Sequence, residues 1–165
     1  MTVRVVNDRE GSILKAIRDL TSKEVLVGIP GETTERKTED GEAGPTNAMI
    51  GYVMEFGDPD KNIPARPFLV PGVTAAMPRV IPQLKAAGQA AIAGKATGVD
   101  VALNAAGIAA SDAVRDQIDK GPFVPLSPRT LAARAARGRT GTKPLIDTAQ
   151  LMRSITYAVR PRGKG

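Results

Sequence analysis

Glu24-Val25-Leu26-Val27-Gly28-Ile29-Pro30-Gly31 is the stretch that decides the fold class. Val25, Val27 and Ile29 alternate with the residues between them, the period of a half-buried strand, and Gly28, Pro30 and Gly31 punctuate its end. Just upstream, Ile13, Leu14, Ile17 and Leu20 recur on one face at 3.6-residue spacing, with Asn7 or Asp8 placed to cap, so an amphipathic helix of about three turns leads into the strand. Near the other end Ile155, Tyr157 and Val159 alternate with Thr156, Ala158 and Arg160, predicting a strand that joins residues 24–29. The expected class is therefore α+β: a small antiparallel or mixed sheet packed with several helices, plus a long flexible loop and an extended Pro-rich segment.

The loop is residues 31–46. It contains no large apolar residue and cannot help build a core; a polar gap of this length is either functional, for instance becoming ordered against a neighbour, or an exposed insertion without consequence. From Asn47 to Phe56 the apolar residues Met49, Tyr52, Val53 and Phe56 share a helical face, and Gly57 is placed to stop the helix in a left-handed cap. Prolines at 59, 64, 67 and 71 then predict a rigid, extended, non-helical segment. Residues 74 to about 120 are alanine-rich and parse as two helices with interruptions at Pro78, Pro82, Gly88, Gly94 and Gly98. The second helix shows a face of small residues, Leu103, Ala106, Ala110, Val114 and Ile118, suited to close helix approach. Ser127, Pro128 and Gly138 mark the two ends of a further short helix carrying Arg129, Arg134 and Arg137. Asp147 is placed to cap a last one, with Gln150 at its third position as in a capping box, worth about 1 kcal/mol. Residues 161–165 read as a loose basic tail.

At 165 residues the chain suits one domain, 1–165. Its aromatic residues are only Tyr52, Phe56, Phe68, Phe123 and Tyr157, and alanine and glycine supply much of the apolar content, so the core is thin and part of the apolar surface is expected to be buried against neighbouring copies. The chain contains no cysteine and no histidine, which removes disulfides, thiolate nucleophiles, N/S-ligated zinc and imidazole acid–base chemistry. The N-terminus lacks the long apolar stretch of a signal peptide, and no run of about 18 apolar residues suggests a membrane span, so synthesis in a cytoplasm and no membrane partner are expected. Gly138-Arg139-Thr140-Gly141-Thr142-Lys143 lacks the spacing of a phosphate loop, the acids show no spacing that would converge a carboxylate pair, and the serines have no histidine to activate them. No catalytic, cofactor or metal residue is expected.

The charge is unevenly spread. Residues 120–165 carry ten Lys or Arg and the single acid Asp147, +9, whereas residues 1–119 sum to −3. Such an end suits a nucleic acid, an acidic partner surface or a solvated strip; with no aromatics interleaved among the arginines, a solvated or subunit-facing strip is favoured over single-strand stacking. Arg66, held between Ala65 and Pro67, has a restricted backbone that orients its guanidinium toward an ion pair with Glu55 or Asp58, or toward a neighbouring subunit. Phe68 and Leu69 are core residues or an interface anchor.

Taken in order, Tyr52-Val53-Met54-Glu55-Phe56-Gly57, Ile63-Pro64-Ala65-Arg66-Pro67-Phe68-Leu69, the alanine-rich helices, Pro125-Leu126-Ser127-Pro128-Arg129-Thr130 and Pro144-Leu145-Ile146-Asp147-Thr148-Ala149-Gln150-Leu151-Met152-Arg153-Ser154-Ile155 resemble tailed-phage head-tail junction proteins, the tail-completion or neck proteins and the phage virion-morphogenesis family. The family pattern commonly has glycine where this chain has Ala149 and a polar residue where it has Met152; alanine is compatible with a helix start. The resemblance implies a non-enzymatic virion subunit, assembled in the host cytoplasm into a homo-oligomeric ring at the head-tail junction. Its neighbours would be other neck and tail proteins, with room in the lumen for non-specific contact with genomic double-stranded DNA. Arg66, Phe68, Leu69, Arg134, Arg137, Arg139, Asp147, Gln150 and Leu151 are the interaction residues expected on that basis. The alternatives are a minor tail or baseplate protein, a small basic double-stranded DNA-binding protein, whose affinity would fall steeply with salt, and, least favoured, a hydrolase.

Overall fold

The computed structural model describes residues 9–31, 36–37 and 43–163. The class is α+β, with six α-helices and two two-stranded sheets among the described residues. Helix α1 (Arg9–Thr21) leads directly into β1 (Lys23–Gly28), which pairs with β4 (Thr156–Pro161). Arg162 donates its N–H to Ser22 O, and the Arg160 guanidinium reaches Glu24 at 2.9 Å, so one strand ascends as the other descends and the pairing is antiparallel. The long-range strand pairing read from alternation alone is thus present, one residue earlier at its start than expected. The expected caps Asn7 and Asp8 lie outside the described residues.

Two short strands, β2 (Arg36–Lys37) and β3 (Ala43–Gly44), pair antiparallel with Arg36 opposite Gly44. The segment expected to be a plain loop therefore contains a small ladder, which its polarity concealed. Thr46 then caps α2 (Asn47–Phe56) by accepting from the Met49 N–H, and Gly57 closes it with φ +81°. A side chain at Gly57 would also lie 2.9 Å from Ala65 N, so the position requires glycine twice over.

The proline segment differs from expectation at both ends. Pro59 opens a single 3-10 turn (Pro59–Lys61), and Pro71 lies in the first turn of α3 (Leu69–Ile92), where a missing N–H has no helical partner to lose. Between them Asn62 is left-handed, Ile63 bridges back to Asp58, and residues 64–68 are non-helical as expected. Pro78 and Pro82 do not interrupt α3 either. They sit one turn apart on its exposed side, so the carbonyls they leave without an N–H partner, those of Thr74 and Pro78, face solvent. Gly94, at φ +71°, makes the break before α4 (Ala96–Lys120).

The chain forms two compact units. The first comprises residues up to Leu26, Met77–Ala109 and Tyr157 onward. Its core is small: Ala87, Ala91, Val99, Ala102 and Leu103, against which Leu20, Val25 and Val159 pack. The apolar face expected of α1 is only partly used, since Ala16 and Leu20 pack inward while Leu14 and Ile17 stay exposed. The second unit comprises Val27–Ala76 and Ala110–Thr156. Its core has larger residues, Phe68, Val114, Ile118, Leu151 and Ile155. Here α3 and α4 approach closely at Gly72, where an added Cβ would stand 2.7 Å from the Val114 Cα. All five residues of the small face expected on α4 are buried. Helix α5 (Pro128–Ala136) is capped by Ser127, which accepts from the Thr130 N–H, and α6 (Gln150–Ser154) precedes β4. Pro161 belongs to β4 and Arg162 is bonded to Ser22, so these two are not loose as expected, and Lys164 and Gly165 lie outside the described residues.

Candidate functional site

Helix α2 is turned the opposite way from the one its composition suggests. Asn47, Gly51 and Glu55, one turn apart, are its buried residues, while Met49, Tyr52 and Phe56 are 59%, 68% and 64% exposed. Tyr52 and Phe56 touch each other with ring centroids 4.9 Å apart. The inward stripe is explained by Glu55. Its carboxylate accepts N–H bonds from Phe68, Leu69 and Val70 at 2.7, 2.8 and 3.0 Å, satisfying the donors that the first turn of α3 leaves open. Gly51 leaves room for Ile29, whose Cδ1 would stand 2.5 Å from an added Cβ, while Leu151 and Phe68 lie at ordinary contact distance.

That clamp also fixes the chain at Arg66. The Arg66 N–H donates to Met54 O at 2.7 Å, and the side chain is driven inward, 6% exposed. The expected ion pair with Glu55 or Asp58 does not form. Glu55 is occupied by backbone N–H groups and Asp58 by Lys61, so the guanidinium donates instead to two carbonyls, Nε to Val124 O at 2.8 Å and Nη2 to Pro125 O at 3.1 Å. Among the described residues Arg66 forms no ion pair. Burial, and secondly the charge of Arg134, pull it below the ordinary guanidinium value.

Arg134 holds the next segment. From α5 its Nη1 donates to Gly141 O, Lys143 O and Ile146 O at 2.9, 3.1 and 3.1 Å, and its Nε lies 3.6 Å from Asp147. Arg139 completes this with a 2.7 Å bond to the other Asp147 oxygen. Asp147 therefore does not cap α6; two arginines claim it, and the expected capping box is absent. The residue in the cap position is Ala149, with φ +58° and no side-chain cap bond. Leu145 also has positive φ, +61°. A left-handed conformation costs a non-glycine residue about 1–2 kcal/mol, so this chain carries strain at Ala149 and Leu145. Ala149→Gly is expected to raise stability by about 1 kcal/mol, measured by urea unfolding, because the glycine enters the required conformation without a Cβ clash.

Arg66, Arg134, Asp147, Gln150 and Leu151 line one groove of about 540 Å³ within the second unit, together with apolar walls from Ile50, Met54, Ile63 and Leu145. Five of the nine residues singled out in the sequence thus converge. Phe68 does not reach it, being 1% exposed in the core; Leu69 is partly buried against that core; Arg137 ends α5 exposed; and Arg139 acts through Asp147. Glu55 as a clamp was not legible in the sequence, and Ala149, read there as compatible with a helix start, takes the left-handed conformation just before it. A glutamate a dozen residues before an extended Arg-Pro-Phe-Leu run carries no local signal for a helix N-terminus it meets only in the fold. Among the described residues no group of acids is arranged to hold a metal ion, and no helix is long and apolar enough to cross a membrane.

At the far side of the Arg134 segment, Lys143 bonds Asp119 at 2.6 Å, and that bond, followed by the lysine's charge, holds the Asp119 carboxyl below its ordinary value of 3.8. A depressed carboxyl contributes its stability above its unfolded-state value and loses it as pH falls through the folded one. Asp119→Asn is therefore expected to change the unfolding midpoint above pH 3.8 and to leave it unchanged at the lowest pH, read from acid titrations at low salt. No protein-family model matches the chain, and no curated protein or solved structure is significantly similar to it.

Proposed function

We propose that this chain is a structural subunit of a tailed bacteriophage particle that assembles into a ring at the head-tail junction, as a tail-completion or neck protein, and has no catalytic role. The observation that carries the reading is the outward face of α2. Met49, Tyr52 and Phe56 form an apolar surface whose burial on assembly would stabilise a subunit contact, while the same helix is anchored from behind by Glu55. A helix with its polar stripe inward and its aromatics outward fits a chain that completes its burial in a complex, as the thin core and the order of the sequence motifs also suggest. The face belongs by that reading to a protein contact and not to DNA, since it carries no cation.

The double-stranded DNA-binding alternative has less support. Arg134, Arg139 and Lys143, three of the ten basic residues of 120–165, are engaged with Asp147, Asp119 and backbone carbonyls instead of being free for phosphates. Particles produced without this protein test the reading directly: separate full heads and tails in negative stain are expected, and normal joined particles would defeat it. Complementation with Tyr52→Glu plus Phe56→Glu is expected to give the same separated heads and tails, with the isolated variant's unfolding unchanged.

A further inference from the structure

A buried cation is costly unless an anion balances it, because desolvation is repaid only partly by hydrogen bonds to neutral carbonyls. Arg66 is in that position: 6% exposed, bonded to Val124 O and Pro125 O through Nε and Nη2, and without an ion pair among the described residues. It lines a groove of about 540 Å³ whose second guanidinium, Arg134, is itself largely buried, and whose one acid, Asp147, is already shared between Arg134 and Arg139. Among the described residues the groove is thus positive and lacks an anion for Arg66. Gln150, Asn62 and Thr148 add exposed polar groups at its edge, and Ile50, Met54 and Ile63 wall it. Apolar walls around recessed guanidiniums favour a carboxylate on a peptide over a nucleic-acid phosphate, which is contacted by projecting, solvated cations.

The structure points, we infer, to a carboxylate-binding groove that takes the acidic segment Thr38-Glu39-Asp40-Gly41-Glu42 of a second copy of this chain. The segment joins β2 to β3 in sequence and carries three acids and no base, the complement of a groove with an unbalanced positive charge. A volume of this size accommodates a few residues, not a helix or a domain. This inference rests on reading the chain as a self-assembling subunit, and it names the contact between copies.

The test uses the full chain labelled with 15N at arginine. A capped peptide of sequence Thr-Glu-Asp-Gly-Glu-Ala is titrated beside its neutral counterpart Thr-Gln-Asn-Gly-Gln-Ala and a short DNA duplex. Saturable shifts of the Arg66 Nε–Hε resonance with the acidic peptide alone are expected, with affinity weakened about tenfold or more in Arg66→Gln. Equal shifts with the neutral peptide, shifts only with the duplex, or no shifts would overturn the inference. If Arg66→Gln is unfolded by circular dichroism, the comparison of the two peptides on the unaltered chain decides alone. Sedimentation separates a second copy from another source of acid. The unaltered chain should gain mass with concentration, and the variant with Glu39→Gln, Asp40→Asn and Glu42→Gln should not; an unaltered chain that stays monomeric, or a variant that associates equally, counts against a second copy. Particle images without the protein test the junction role independently, so that role can fail while the peptide result stands.

Discussion

Glu55→Ala is expected to be the most damaging single change in the chain, costing about 3 kcal/mol or more in urea unfolding, at about 1–3 kcal/mol for each buried polar group left without a partner. The carboxylate is 7% exposed and is the acceptor for three successive N–H groups at the start of α3, of which that of Phe68 is sealed in the core. Removing it leaves those donors and the positive end of a 24-residue helix unbalanced at once. Glu55→Gln is the discriminating control. Its one oxygen can still accept from Phe68 and Leu69, but its NH₂ group meets the Val70 N–H donor to donor, so roughly half the loss is expected. Equal stability of the alanine variant and the unaltered chain would mean that the N-terminus of α3 finds other acceptors and that the orientation of α2 has another cause. Because Glu55 holds α2, the alanine variant should also lose the fixed outward presentation of Tyr52 and Phe56, measurable as increased hydrogen exchange at residues 47–56.

Gly72→Ala is expected to destabilise by about 1–3 kcal/mol, the range for forcing an extra group into a packed core. The sign is what makes this useful. Helix propensity alone favours alanine over glycine inside α3 by about 1 kcal/mol, so a purely local account predicts a gain. The methyl group would lie 2.7 Å from Val114 Cα and 3.2 Å from Val114 N, and backbone atoms of α4 cannot rotate aside as a side chain can. The added contact with Val114 Cγ2 at 3.0 Å would be relieved by Val114→Ala, whereas the backbone contacts would persist. The double variant should therefore recover only part of any loss beyond the cavity cost of trimming Val114. A stabilised Gly72→Ala protein would show that α3 and α4 can separate there without cost.

The agreement between sequence and structure follows the range of the physical signal. Gly57 ends α2, Ser127 and Gly138 bracket α5, and the alternation at 155–159 finds β1, because capping, turn geometry and strand period act between residues close in the chain. The buried face of α4 was legible for the same reason: Leu103, Ala106, Ala110, Val114 and Ile118 repeat at helical spacing and all are buried. Pro78 and Pro82 misled, because a proline's cost depends on whether the carbonyl it strands can reach water, which is a property of the packed helix. The ladder of β2 and β3 went unseen because four polar or small residues carry no alternation.

By itself the sequence determined the α+β class, the longer helices and the strand pair, the helix ends marked by Gly57, Ser127 and Gly138, and the exclusion of thiol and imidazole chemistry in a chain without cysteine or histidine. Tertiary structure alone decided which way each mixed face turns. The apolar stripe of α2 was visible, but its exposure follows from Glu55 meeting three N–H groups of a helix that starts fourteen residues later, a contact with no local signature. Arg66 was read as a restrained arginine directed at an ion pair, and Asp147 as the cap of a helix it does not cap. Their partners, two carbonyls for one and two arginines for the other, depend on loops brought together over dozens of residues. Charge and periodicity are properties of the chain, whereas the balance of a buried charge is a property of the space around it.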